Sequence, residues 1–183
     1  MYTLIPPHDS APGRVLYSAS MTDSPAHESS HRDHEEAAGQ DISAGFAIVT
    51  FSDTRTEETD RSGALLRETI TAAGHHVTRY TIVSDDLEAI RSELDMILDD
   101  PQVHFVITTG GTGISGRDSA YEAIVERLDK MLDGFGELFR VLSYEEIGAA
   151  AMLSRAVGGI ARGRALFALP GSTAAVRLGI ERL

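Results

Sequence analysis

Between Phe105 and Ser119 the chain reads FVITTGGTGISGRDS, an apolar run that opens into Gly110, Gly111, Gly113 and Gly116 and then Arg117 and Asp118. Backbone with so little side chain lets amide N–H groups converge on one point, and a helix that follows presents its positive end there. The chemistry open to such a loop is the holding of a phosphate or similar oxyanion. A tight turn requiring positive φ is the plainer account; it explains one or two of these glycines but poorly explains four.

Two better-known phosphate loops fit less well. Gly111 to Gly116 satisfies G-x-G-x-x-G literally, but a dinucleotide fingerprint belongs at the first strand-to-helix turn, with an acidic residue after the next strand. Here the first such turn holds Ser52, Asp53, Thr54 and Arg55 and no glycine. A nucleotide-triphosphate P-loop needs Gly-Lys followed by Ser or Thr, which occurs nowhere in the chain.

Two acids flank the loop. Asp118 follows it, and Asp85 follows the preceding extended run. Each has an ordinary explanation: Asp118 as the cap of a helix beginning at Ser119, Asp85 and Asp86 in the first turn of another, where negative charge is favoured. Yet two carboxylates beside an anion cradle repel the anion unless a cation bridges them. Mg²⁺, which takes one or two carboxylates together with phosphate oxygens, fits that need. The pair therefore points to metal-assisted phosphoryl or nucleotidyl transfer.

Positioning these groups requires a sheet whose strand ends share a crevice. The apolar run FAIVTF (46–51), a polar loop and an amphipathic stretch from about Arg61 to Ala73 closed by Gly74 make a first β-α unit. HHVTRYTIV (75–83) and a helix from the Ser84-Asp85-Asp86 start to about Asp99 make a second, and VHFVITT (103–109) a third strand. This alternation predicts a single doubly wound, mainly parallel α/β sheet with helices on both faces, and ligands outside the carboxyl ends of its strands. Beyond the loop a helix is expected from about Ser119 to Leu132. A turn and helical stretch in DGFGELFRVLSYEEIG follow, then two extended pieces about Gly163, and a last helix capped by Ser172 after Pro170-Gly171.

Residues 1–43 are rich in Pro, Ser, His and acids without a sustained period, and read as a disordered acidic, His-containing tail before an α/β domain spanning 44–183. His27, His31 and His34 have a spacing that lines one helix face, but a solvated His/Glu tract accounts for them better than a metal site. Met21 is a candidate start.

With 183 residues, 42% hydrophobic and 24% charged, the chain suits one globular domain. No apolar run approaches the roughly 20 residues of a membrane span. Without cysteine there is no thiolate metal site or thiol nucleophile. The formal charge of −12, with Lys130 the one lysine, opposes a nucleic-acid partner. The opening residues lack a secretory signal, so the expected location is cytoplasmic.

The stretches SDTRT, DRSG, AGHHV, TTGGTGISGRD, GFGELFR, LSYEEIGAAAMLSRAVGGIARG and FALPGS occur together and in order. From about Gly45 to its end the chain thus resembles the MogA/MoaB family of molybdenum cofactor biosynthesis proteins. The resemblance implies an α/β domain that binds molybdopterin, a pterin dithiolene with a terminal phosphate. In active members that phosphate attacks the α-phosphorus of ATP, with Mg²⁺, releasing pyrophosphate and leaving adenylylated molybdopterin. The family's pterin pocket falls on Thr109, Gly110, Gly111, Thr112 and Gly113, on Gly134, Phe135, Gly136 and Glu137, on Ser154, and on Pro170, Gly171 and Ser172. Its catalytic, metal-holding acids fall on Asp85 and Asp118.

The family also implies a homotrimer or an assembly of trimers, and hand-over of product to a molybdenum insertase. It includes paralogues that bind the pterin without turnover, and related domains inside larger proteins. This chain departs from the family at Ser119-Ala120-Tyr121, where Val-Thr-Pro is common, and at Thr173, where a proline usually follows the Leu-Pro-Gly-Ser turn.

Overall fold

The seven residues Gly45–Phe51 are all buried, as an unbroken apolar and β-branched run demands, and they form the central strand β1. Around it the computed structural model, which describes residues 43–116 and 118–183, arranges β2 (His76–Val83), β3 (Phe105–Thr109), β4 (Lys130–Met131), β5 (Val157–Ala161) and β6 (Arg164–Leu169). The sheet order is β2-β1-β3-β6-β5-β4. β2, β1, β3 and β6 run parallel, β5 runs antiparallel to β6, and the edge strand β4 runs antiparallel to β5.

Period-2 alternation sends the side chains of the central strands to two cores. Ala47, Val49 and Phe51 of β1 join Val106, Leu166 and Ala168 beneath the helices α2 (Leu87–Asp99) and α3 (Ala120–Val125). Phe46 and Ile48 join Ile107 and Leu169 on the other face, covered by α1 (Arg61–Ala72), α4 (Asp133–Ile147) and α5 (Thr173–Arg182). A fully buried Leu or Ile contributes roughly 1.5–3 kcal/mol, so these two layers hold the sheet rigid. One acid enters the packing: Glu93 of α2 is 6% exposed and accepts from Arg79 Nε at 2.8 Å and Thr81 Oγ1 at 2.7 Å, clipping the helix to β2.

The chain order β1, β2, then β3 on the far side of β1, makes the carboxyl ends of β1 and β3 a topological switch point. Helix ends follow the expected signals. Gly74 takes φ 84° just after α1, Asp86 caps α2 by accepting from Ala89 N, and Ser172 caps α5 by accepting from Ala175 N.

The helix expected from Ser119 to Leu132 is shorter: α3 ends at Val125. Its continuation is captured by the sheet edge, where Asp129 N donates to Ile160 O, Leu132 N to Gly158 O, and Lys130–Met131 pair with β5. The segment Gly134–Glu137 is the first turn of α4 rather than a turn before it. The N-terminal tail, the histidines 27, 31 and 34 and the candidate start at Met21 lie outside the described residues.

Candidate functional site

Strand β3 ends at Thr109, and the chain turns sharply through Gly110 (φ 90°) and Gly111 (φ 62°), backbone that an L side chain rarely adopts. A Cβ at Gly110 would overlap the carbonyl oxygen of Phe51, the last residue of β1, so the loop lies directly across the end of the neighbouring strand. Gly110 N donates to Leu169 O and Ala120 N to Gly111 O, tying the loop to β6 and to α3. Beyond Gly110 the amide N–H groups of Gly111, Thr112, Gly113 and Ile114 have no acceptor among the described residues. Four neighbouring donors without partners among the described residues are what an oxyanion cradle requires. With only six residues, α3 adds little macrodipole, so the cradle depends on these amides.

Both acids meet this loop. Asp85 Oδ1 lies 2.9 Å from where a Cβ on Gly111 would stand, and the Asp118 carboxyl carbon 2.8 Å from the corresponding point on Gly113. Asp85 is not the helix cap; that is Asp86, while the Asp85 N–H donates to Asp53 Oδ1 at 3.0 Å. Asp118 is not a cap either. Its Oδ2 turns back to accept from Ser115 N at 2.8 Å, and Ser119 at the head of α3 makes no side-chain cap bond. Neither of the two carboxylates therefore caps a helix, although Asp85 stands directly before the cap Asp86. No group of three or more His, Asp or Glu able to hold a metal occurs among the described residues. Two carboxylates at an anion cradle fit an ion that completes its shell with phosphate and water, not one held in an all-protein cage.

The Pro170-Gly171-Ser172 turn adjoins the loop from the other side. Thr109 Oγ1 donates to Pro170 O at 3.4 Å, and a Cβ on Gly171 would stand 3.1 Å from Gly110 Cα. A network invisible in the sequence fixes that turn. Arg55 Nη2 donates to Gly171 O at 2.7 Å and Ser62 Oγ to the same oxygen at 2.9 Å. Arg55 is paired with Asp60, which is 1% exposed and accepts from Thr50 Oγ1, Tyr80 OH and Gly63 N. Burial pushes the Asp60 pKa up, but these hydrogen bonds and the Arg55 charge outweigh it and hold the carboxyl below its ordinary value. Burial and the bond to Asp60 push the Tyr80 hydroxyl well above the usual tyrosine range.

The remaining expected residues divide. Gly136 and Glu137 line a cavity of about 270 Å³ with Tyr121, Asp133, Arg140, Ala156 and Val157. Phe135 instead packs on Phe167 with ring centroids 4.9 Å apart and lines a separate apolar cavity of about 300 Å³ with Phe46, Phe105 and Leu169. Ser154 is half-buried and donates its N–H to Ala151 O. The residue after it, Arg155, reaches back to the glycine loop, donating to Thr112 O from Nε at 2.9 Å. The sequence reading missed Arg55, Asp60 and Arg155; only the position of Arg55 and Asp60 within SDTRT and DRSG hints at a role.

Residues 47–183 match the family described as a probable molybdopterin binding domain. The chain is similar to molybdenum cofactor biosynthesis protein B of Halalkalibacterium halodurans, 50% identical over 137 residues, which cover 74% of this chain and 81% of that protein. A crystal structure of a molybdenum cofactor biosynthesis protein B is 51% identical, with a TM-score of 0.75 over 78% of this chain and 89% of that one. The tungsten cofactor synthesizing protein MoaB from Pyrococcus furiosus is 41% identical, with a TM-score of 0.69 over 76% and 89%.

Proposed function

Because the chain belongs to the molybdopterin-binding MoaB/MogA family of molybdenum cofactor biosynthesis proteins, we propose that it is a molybdopterin adenylyltransferase. The observation that carries this reading is the meeting of two carboxylates, Asp85 and Asp118, with Gly111 and Gly113 of one amide-rich loop. The amides of Gly111 to Ile114 bind phosphate oxygens; Asp85 and Asp118 would hold Mg²⁺, which neutralises charge on a triphosphate when bound. The terminal phosphate of molybdopterin supplies the attacking oxygen. A bond forms to the α-phosphorus of ATP, the bond from that phosphorus to the bridging oxygen breaks, and pyrophosphate leaves with the electron pair.

No side-chain nucleophile is needed, so catalysis rests on positioning and charge neutralisation. The chain's own contribution is to fix the loop across the ends of β1 and β3 and to brace it with the Arg55-held turn at Gly171. The departure at Ser119-Ala120-Tyr121 leaves the loop tied to α3, since the Ala120 N–H still closes on Gly111 O at 3.1 Å. The exposed side chains of Leu138, Val141, Tyr144, Ile147, Met152 and Leu153 form an apolar band along α4 and the 3-10 turn Gly148–Leu153. We assign that band to self-association into trimers, with hand-over of product to a molybdenum insertase.

The test is incubation of the full chain with molybdopterin, ATP and Mg²⁺, followed by mass detection of adenylylated molybdopterin. Product carries the proposal. Tight molybdopterin binding without product makes the chain a binding-only paralogue.

A further inference from the structure

Arg155 lies in the connection between the 3-10 turn Gly148–Leu153 and β5, far from the glycine loop in sequence, yet its guanidinium is directed at that loop. Nε donates to Thr112 O and Nη2 to Gly113 O, with a longer contact to Asp118 O at 3.5 Å. The same group pairs with the Glu122 carboxylate and lies over the Tyr121 ring, 4.5 Å from its centroid. Its side chain is 25% exposed, and Nε, Nη1 and Nη2 each donate to a protein acceptor.

The consequence follows from peptide geometry. Across a planar trans peptide the C=O and the next N–H point in opposite directions. Drawing the carbonyls of Thr112 and Gly113 toward Arg155 therefore turns the N–H groups of Gly113 and Ile114 away from it. These are two of the four donors that have no acceptor among the described residues. A loop rich in glycine flips its peptides at little cost, so something must choose the face on which the donors gather. The planar guanidinium takes two successive carbonyls and a carboxylate at once along fixed N–H directions, which a rotating ammonium does not fix.

We infer that Arg155 is the positioning residue of the oxyanion cradle, with Glu122 and Tyr121 holding its guanidinium. This rests on the reading of the loop as the phosphate site, and it gives a use to Tyr121, which stands where the family commonly has proline. Arg155 acts through backbone direction, not by touching the ligand.

The test compares full-length wild type with Arg155→Lys and Glu122→Gln, using molybdopterin as the ligand. Affinity is read by titration, and the amide resonances of Gly113 and Ile114 in the ligand-free protein by NMR. Lysine keeps the charge but loses the fork. Arg155→Lys is expected to weaken binding about tenfold or more, the scale of a lost charge-assisted hydrogen bond, and to shift or broaden both resonances. Glu122→Gln is expected to move both readouts in the same direction by less. It decides the matter if Arg155→Lys does not fold. Wild-type affinity with unmoved resonances in the folded variants overturns the inference, since a residue serving only as a positive charge or a packing group gives that result. If wild type itself binds no molybdopterin while the variants still move the Gly113 and Ile114 resonances, the ligand assignment falls and the positioning role stands.

Discussion

Asp118 fills the space that a side chain at Gly113 would need: its carboxyl carbon lies 2.8 Å from the position of a Cβ there. The obstacle is a half-buried side chain able to rotate away, not backbone. Gly113→Ala is therefore expected to leave the melting temperature within a few degrees of wild type while displacing the carboxylate and removing most adenylylation. At Gly110 the obstacle is the Phe51 carbonyl and φ is 90°, so Gly110→Ala is expected to cost about 1–3 kcal/mol from backbone strain alone. Thermal denaturation and product formation measured on both variants check the contrast.

Replacing either acid separates binding from turnover. Asp118→Asn and Asp85→Asn keep shape but lose charge, so molybdopterin affinity should hold or rise as repulsion of its phosphate falls. Adenylylation should drop by about a hundredfold or more, the scale of losing one preorganised electrostatic group. Full turnover in Asp118→Asn with a lowered melting temperature would return that residue to a purely structural role.

Asp60 gives the protein an acid limit. Its carboxyl is held below the ordinary value of 3.8, because the bonds from Thr50, Gly63 and Tyr80 and the Arg55 charge outweigh its burial. A depressed carboxyl contributes stability that is present in full above that value and lost as pH falls through the lower folded value. Denaturant midpoints should therefore decline below about pH 4. Asp60→Asn should flatten that decline and cost about 1–3 kcal/mol at neutral pH, where a buried acceptor is lost. An unchanged acid slope in the variant would show that other carboxylates set the limit.

Self-association should depend on the apolar band. Val141 and Met152 are 59% and 79% exposed on adjoining segments. Val141→Glu and Met152→Glu are expected to convert a sedimenting trimer into monomer without lowering secondary structure. A wild-type chain that sediments as monomer at micromolar concentration would remove the trimer from the proposal.

Alternating apolar strands and amphipathic helices made the sheet legible, because burial on two faces leaves period-2 and period-3.6 patterns in each segment. The run from Ser119 misled for a physical reason. Ala120, Ala123, Ile124 and Leu128 continue a helical stripe, but Lys130 and Met131 are claimed by Gly159 and Ile160, about thirty residues onward. Glycines announced the loop, since Gly110 and Gly111 take a positive φ that other residues rarely adopt. Arg155 was silent because nothing local distinguishes a lone arginine on a loop from one that folds back across 43 residues to Thr112. Asp60 was silent likewise: its hydroxyl partners come from β1 and β2, and only their packing makes the carboxylate buried.

The pairing of β3 with β6 ties Thr109 to Leu169, and it sets the order in which a growing chain acquires its parts. Both carboxylates and every glycine of the loop are synthesised before Arg155 exists to turn the peptides or Gly171 to brace them. Until β6 emerges, one side of β3 is an open row of backbone donors and acceptors, a template for pairing with other nascent chains. A chain truncated ahead of Arg155 also lacks β5 and β6. Its sheet keeps a raw edge at β3, and its expected fate is aggregation and proteolysis.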